Sequence, residues 1–142
     1  MLGLAAREAE IVGIAPLLPA RPLDPRTITA AETARKVAWI REAAGPRYDS
    51  LELNIYPVFG PVRVTDRGRA ASQEVQEYVK RRFGVELSEE EIVESPHIFI
   101  GTVNQLVEKL ERTRETYGIS YIRVGYLEMK AFAPVVERLA GR

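Results

Sequence analysis

Residues 95–126, SPHIFIGTVNQLVEKLERTRETYGISYIRVGY, hold a strand, a helix and a second strand with each boundary marked. Ile98, Phe99 and Ile100 form a short apolar run that stops at Gly101, and Thr102 with Gln105 has the reciprocal capping-box spacing that opens a helix. Val103, Leu106, Val107, Leu110 and Tyr117 recur at helical steps on one face, while Glu108, Lys109, Glu111, Arg112, Arg114 and Glu115 take the other. Gly118 marks the end, because glycine accepts a left-handed backbone past the last turn at no steric cost. Ile119 to Val124 follows at once, rich in Ile, Tyr and Val, and reads as a strand buried on both faces. The pattern predicts a βαβ unit with both strands in one parallel sheet.

The alternation extends in both directions. Leu2, Leu4, Ala5 and Ala9 sit beside Arg7, Glu8 and Glu10 in a helical pattern, and Ile11 to Ile14 is a strand ended by Pro16. Pro19, Pro22 and Pro25 exclude regular structure from Leu17 to Pro25. Thr29 and Glu32 repeat the capping-box spacing for a helix with Ala30, Ala34, Val37, Ala38 and Ile40 on its apolar side, closed by Gly45-Pro46. Leu51 to Phe59 alternates as a strand before Gly60-Pro61, with a bent continuation through Val62 and Val64. A helix from Asp66 places Ala71, Val75, Tyr78 and Val79 on one side and ends at Gly84, and Ser88 with Glu91 caps a short helix over Glu89 to Glu94. Phe132, Val135, Val136 and Leu139 mark the last helix, with Pro134 expected in its first turn. Such an order suits α/β barrels and doubly wound sheets alike.

The 142 residues are 46% hydrophobic and 28% charged, the balance of one soluble domain spanning 1–142. Twenty basic and twenty acidic side chains cancel, so no net field draws in nucleic acid or an anionic membrane. The absence of cysteine removes disulfides, thiolate nucleophiles and zinc ribbons, and fits a reducing cytoplasm. MLGLAAREAE lacks a basic n-region followed by a long apolar core, and no run reaches the roughly 18 apolar residues of a membrane span. The expectation is a cytoplasmic protein with neither nucleic acid nor membrane as partner.

Five segments carry a family likeness: LAAREAEIVGIAP at 4–16, TARKVAWIREAAG at 33–45, LELNI at 51–55, SPHIFIGTV at 95–103 and YGISYIRV at 117–124. They are packing patterns of strands and helices rather than catalytic signatures. Together they resemble the C-terminal part of the luciferase-like monooxygenase family, flavin- or deazaflavin-dependent oxidoreductases built as (β/α)8 barrels roughly twice this length or more. The resemblance implies a partial (β/α)8 TIM barrel of about three to four parallel strands with covering helices. It implies FMN or the deazaflavin coenzyme F-420 as cofactor, at a site left incomplete because the half that supplies most of the ring contacts and the phosphate loop has no counterpart here. It also places function in the loops after the strands, at Pro16 and Leu17, Phe59 and Gly60, Gly101 and Thr102, and Gly125 to Glu128.

Gly101 and Thr102 present backbone N–H groups at a helix N-terminus, which can receive a cofactor phosphate; a turn followed by a cap accounts for the same two residues. His97, the only histidine, enters its strand from the end opposite the expected mouth and reads as structural or exposed rather than as a base. Arg123 can approach an anionic ligand or satisfy a buried carboxylate, and Glu128 is either a mouth carboxylate or a solvated loop charge. Trp39 reads as packing against the sheet or a partner. No carboxylate pair, triad or metal cluster is recognisable, and the catalytic residues are unassigned.

Two functions follow. One is a luciferase-like oxidoreductase or monooxygenase, acting as a subunit or truncated form that a complementary barrel half or a second copy completes. The other is a non-catalytic structural or binding domain derived from that fold. Either way, strands apolar on both faces and open sheet edges predict a homodimer or larger assembly.

Overall fold

The computed structural model describes residues 1–15, 24–57 and 62–141. Pro16 and Leu17, most of the proline-rich connection, and Phe59 with Gly60-Pro61 lie outside the described residues. The elements are α1 (Leu2–Glu8), β1 (Ile11–Ile14), α2 (Ala30–Ala44), β2 (Glu52–Ile55), β3 (Arg63–Val64), α3 (Gly68–Phe83), α4 (Glu89–Glu94), β4 (Ile100–Gly101), α5 (Val103–Tyr117), β5 (Ile119–Ile122) and α6 (Met129–Leu139). Short 3-10 turns occupy Pro25–Ile28, Gly45–Ser50 and Tyr126–Glu128. No helix among the described residues is long and apolar enough to cross a membrane.

The strands form two open parallel sheets, one ordered β1-β2-β5 and one pairing β3 with β4, with no closed barrel among the described residues. The parallel relation expected of residues 11–14, 51–59 and 119–124 holds for their described parts. The central reading is corrected in one respect: β4 and β5 flank α5 but belong to different sheets, and the parallel neighbour of β5 is β2. The register explains it. Arg63 and Val64 pair with Ile100 and Gly101, so the segment expected to prolong β2 instead leaves that sheet and becomes the partner of β4. The β4 ladder covers only Ile100 and Gly101, while Ile98 and Phe99 are buried side chains ahead of it.

One core lies under the three-stranded sheet. Val12, Ile14, Leu53, Ile55 and Ile119 point into it and meet Val37, Ile40 and Ala44 of α2, Leu106, Val107 and Leu110 of α5, and Phe132 and Val135 of α6. A second core gathers Ile28, Val75, Val79, Leu87, Ile92 and Ile98. Each fully buried aliphatic side chain contributes roughly 1.5–3 kcal/mol.

The other face of the three-stranded sheet departs from expectation. It carries Ile11, Gly13, Glu52, Asn54, Tyr56, Tyr121 and Arg123, so the strands are not apolar on both faces, and Ser120 and Tyr121 leave β5 exposed rather than doubly buried. Strict alternation along β2, polar outward and apolar inward, is the signal of a half-covered sheet.

Three helices also differ in detail. The buried face of α2 is Thr33, Lys36, Val37, Ile40 and Ala44, with Ala34 and Ala38 exposed; alanine is too small to decide which stripe is buried. Lys109, expected among the solvated charges of α5, turns back to donate to the carbonyls of Val93 and Ile98, both at 2.6 Å, and its burial lowers its pKa to about 8. Pro134 lies inside α6, which begins at Met129, rather than in the first turn, and Val136 on the expected apolar face is exposed.

Candidate functional site

The site begins with α2. Thr29 caps it by accepting from the Glu32 N–H at 3.3 Å, while the Glu32 carboxylate goes to Arg35 at 2.6 Å, so only half of the expected capping box forms. Thr33 Oγ1 donates to the Thr29 carbonyl at 3.0 Å, and one turn on Lys36 points inward with no surface in contact with solvent. The Lys36 ammonium donates to the carbonyl of Thr27 at 2.8 Å and to that of Ala15 at 3.0 Å. Thr27 is held in place because Asp24 accepts from the Arg26 N–H and Thr27 Oγ1 donates to the Asp24 carbonyl.

The turn at residues 95–97 closes on this corner. Ser95 Oγ donates to the Ile28 carbonyl at 2.7 Å and accepts from the His97 N–H at 3.2 Å, which fixes the turn that carries the imidazole. His97 is fully buried and neither ring nitrogen makes a hydrogen bond among the described residues. Its pKa falls to about 4, first because burial disfavours the charged ring and second because of the Lys36 charge, with the Tyr56 backbone opposing the shift. Burial also lowers the Lys36 pKa, with Glu32 opposing the shift and Arg35 adding to it.

Ala15 directly follows β1 and Tyr56 directly follows β2, so this corner lies at the carboxyl ends of parallel strands, where open α/β sheets bind ligands. His97 was expected at the opposite end. It reaches this one because it stands in a buried turn before the β4 ladder rather than inside a strand. On the adjoining open face the Arg123 guanidinium lies over the Tyr56 ring at 4.7 Å, and Asn54 Nδ2 donates to the Tyr121 carbonyl at 3.1 Å. Arg123 therefore meets an aromatic ring rather than a buried carboxylate.

Gly101 and Thr102 are placed elsewhere, at the end of the β3–β4 ladder. Thr102 Oγ1 accepts from the Gln105 N–H at 3.3 Å, and Gln105 Oε1 accepts from the Thr102 N–H at 2.9 Å. Gly101 permits that return: at φ +150° a Cβ there would lie 2.9 Å from Gln105 Oε1. Glu128 folds its carboxylate over Gly125, beside the exposed Tyr126 and Leu127. Trp39 is exposed, carries the Arg35 guanidinium at 4.8 Å, and borders a groove of about 810 Å³ along the free edge of β1 with Leu2, Leu4, Ala15 and Lys36.

Sequence reasoning missed Lys36. The available signal was the spacing of Thr33, Lys36, Val37, Ile40 and Ala44, a helical stripe with a lysine inside it.

No protein-family model matches the chain, and no curated protein matches it. Among solved structures, the crystal structure of the monooxygenase RslO1 from Streptomyces bottropensis is similar, at 17% identity and a TM-score of 0.50. The likeness covers 87% of this chain and 36% of that one, and it is a likeness of fold.

Proposed function

We propose that this chain forms one wall of a luciferase-like oxidoreductase or monooxygenase using FMN or the deazaflavin coenzyme F-420, and that a second polypeptide completes the mouth. The observation that carries the reading is the polar, aromatic face of Asn54, Tyr56, Tyr121 and Arg123 opening beside Lys36 and His97 at the carboxyl ends of β1 and β2. The family resemblance of the sequence and the fold likeness to a monooxygenase over 36% of its length support a partial (β/α)8 arrangement.

The described residues suit the flank of a planar anionic ring system, through the Tyr56 and Tyr121 rings and the Arg123 charge. They suit a phosphate at Gly101-Thr102 only if the Gln105 side chain swings off the Thr102 N–H. Bound reduced flavin or deazaflavin would supply the hydride or oxygen chemistry. What this chain contributes is a charged aromatic surface and a buried cation.

Completion from outside follows from the edges. Among the described residues β1 and β5 have no strand beyond them, and Leu4, Ile11 and Trp39 stand exposed near the β1 edge. A second copy or a complementary barrel half satisfies both features, and twofold pairing is the commonest solution for identical chains.

Fluorescence titration of the purified protein with FMN and with F-420 tests the reading. Saturable binding of either that weakens in Arg123→Ala supports it. Binding of neither at high micromolar cofactor contradicts it and favours the non-catalytic module.

A further inference from the structure

We infer that Lys36 and His97 form a binding site for the oxyanion group of a ligand, a carboxylate or a phosphate, at the carboxyl ends of β1 and β2. Two independent observations lead there. The first is a buried cation with no ion-pair partner among the described residues. Every Asp and Glu of the chain lies among the described residues, and none forms an ion pair with Lys36: Glu32 is held by Arg35, and Asp24 by Arg26. Two carbonyl oxygens take two of the three ammonium hydrogens. Buried charges are normally paired, and carbonyl dipoles alone leave the net charge uncompensated.

The second observation is the imidazole. His97 is fully buried with both ring nitrogens unpartnered among the described residues, and a neutral imidazole offers one N–H donor and one acceptor. Buried unsatisfied groups are rare in native proteins, and each calls for a missing partner. An oxyanion meets both needs at once, accepting from the third ammonium hydrogen and from the imidazole N–H, and a protonated acid oxygen or a water fills the remaining nitrogen. A groove of about 810 Å³ runs past the same corner, bordered by Lys36, Ala15 and Trp39. Nearby, Arg35 adds positive charge and Glu32 partly offsets it.

This site does not depend on the flavin reading, and the chain provides its own probe, since His97 is the only histidine. The imidazole resonances of the intact protein at neutral pH are followed during titration with inorganic phosphate, with acetate, and with sodium chloride at matched ionic strength. A saturable shift with phosphate or acetate beyond the chloride control is expected, and the stronger of the two identifies the anion. Lys36→Met should weaken the apparent affinity about tenfold or more, the effect of losing a charged hydrogen bond. If Lys36→Met fails to fold, calorimetric titration of His97→Gln with the same anions takes its place, with a loss of binding expected. Shifts no larger than those with chloride, or an affinity unchanged by the substitution, would overturn the assignment.

Discussion

The N-terminus of α5 and the corner formed by Lys36 and His97 both gather polar groups where a strand gives way to a helix, yet they resolve their hydrogen bonding in opposite ways. At α5, Thr102 and Gln105 satisfy each other three residues apart. At the corner, Lys36 reaches carbonyls 9 and 21 residues away, Ser95 reaches one 67 residues away, and the imidazole brought in by these contacts has no hydrogen-bond partner among the described residues. A cluster that satisfies itself locally is architecture. A buried cluster assembled over long range and left unsatisfied is where a ligand gains most by binding.

The largest effect expected lies beneath the satisfied side. Leu106→Ala, fully buried in the core under α5, should cost about 2–5 kcal/mol in chemical denaturation, and a loss under roughly 0.5 kcal/mol would show that this face does not hold the helix. Next comes pH. The His97 pKa is about 4 in the folded chain against an ordinary 6.5, so between those values the unfolded chain binds more protons and stability falls as pH drops. The loss is of order 3 kcal/mol at most, is complete near pH 4 and is absent above pH 7. Comparing the pH profile of wild type with that of His97→Leu isolates it from carboxylate titration; parallel profiles would refute the buried, neutral ring.

Smaller effects sharpen the contrast. Thr102→Ala removes a cap acceptor already in use and should cost about 0.5–2 kcal/mol, measured by urea denaturation. His97→Leu removes unsatisfied atoms, so at pH 7.5 and without added anions it should be near neutral, within about 0.5 kcal/mol, or stabilising. A cost above about 2 kcal/mol would mean that the ring has a structural partner.

The same distinction governs what the sequence could reveal. Caps at Thr102 and Ser88 and the glycine stops at Gly84 and Gly118 are local signals and stand where expected, and the strands at Ile11, Glu52 and Ile119 start within a residue of their expected positions though the last two are shorter than expected. Sheet membership is not local: the two-residue ladder of β3 with β4 depends on a partner 37 residues away, so β4 was grouped with β5 by proximity in the chain. Lys36 was illegible because the alanines at 34 and 38 mimic an apolar stripe on the wrong side of α2. His97 stands elsewhere than its place ahead of the run Ile98 to Ile100 implies, because the ladder begins only at Ile100 and Ser95 bonds to Ile28 and holds a turn before it. Gly101 and Thr102 were legible as a cap, and their geometry keeps that cap internally satisfied.

The central claim is that the sheet's free edges and open face are one part of an assembly. Static light scattering of the purified protein from low to high micromolar concentration addresses it most directly. A mass above the 15.9 kDa monomer that rises with concentration toward a dimer is predicted. A concentration-independent monomer mass would contradict it, and would require the edge of β1 and the groove beside Trp39 to be stable in water uncovered.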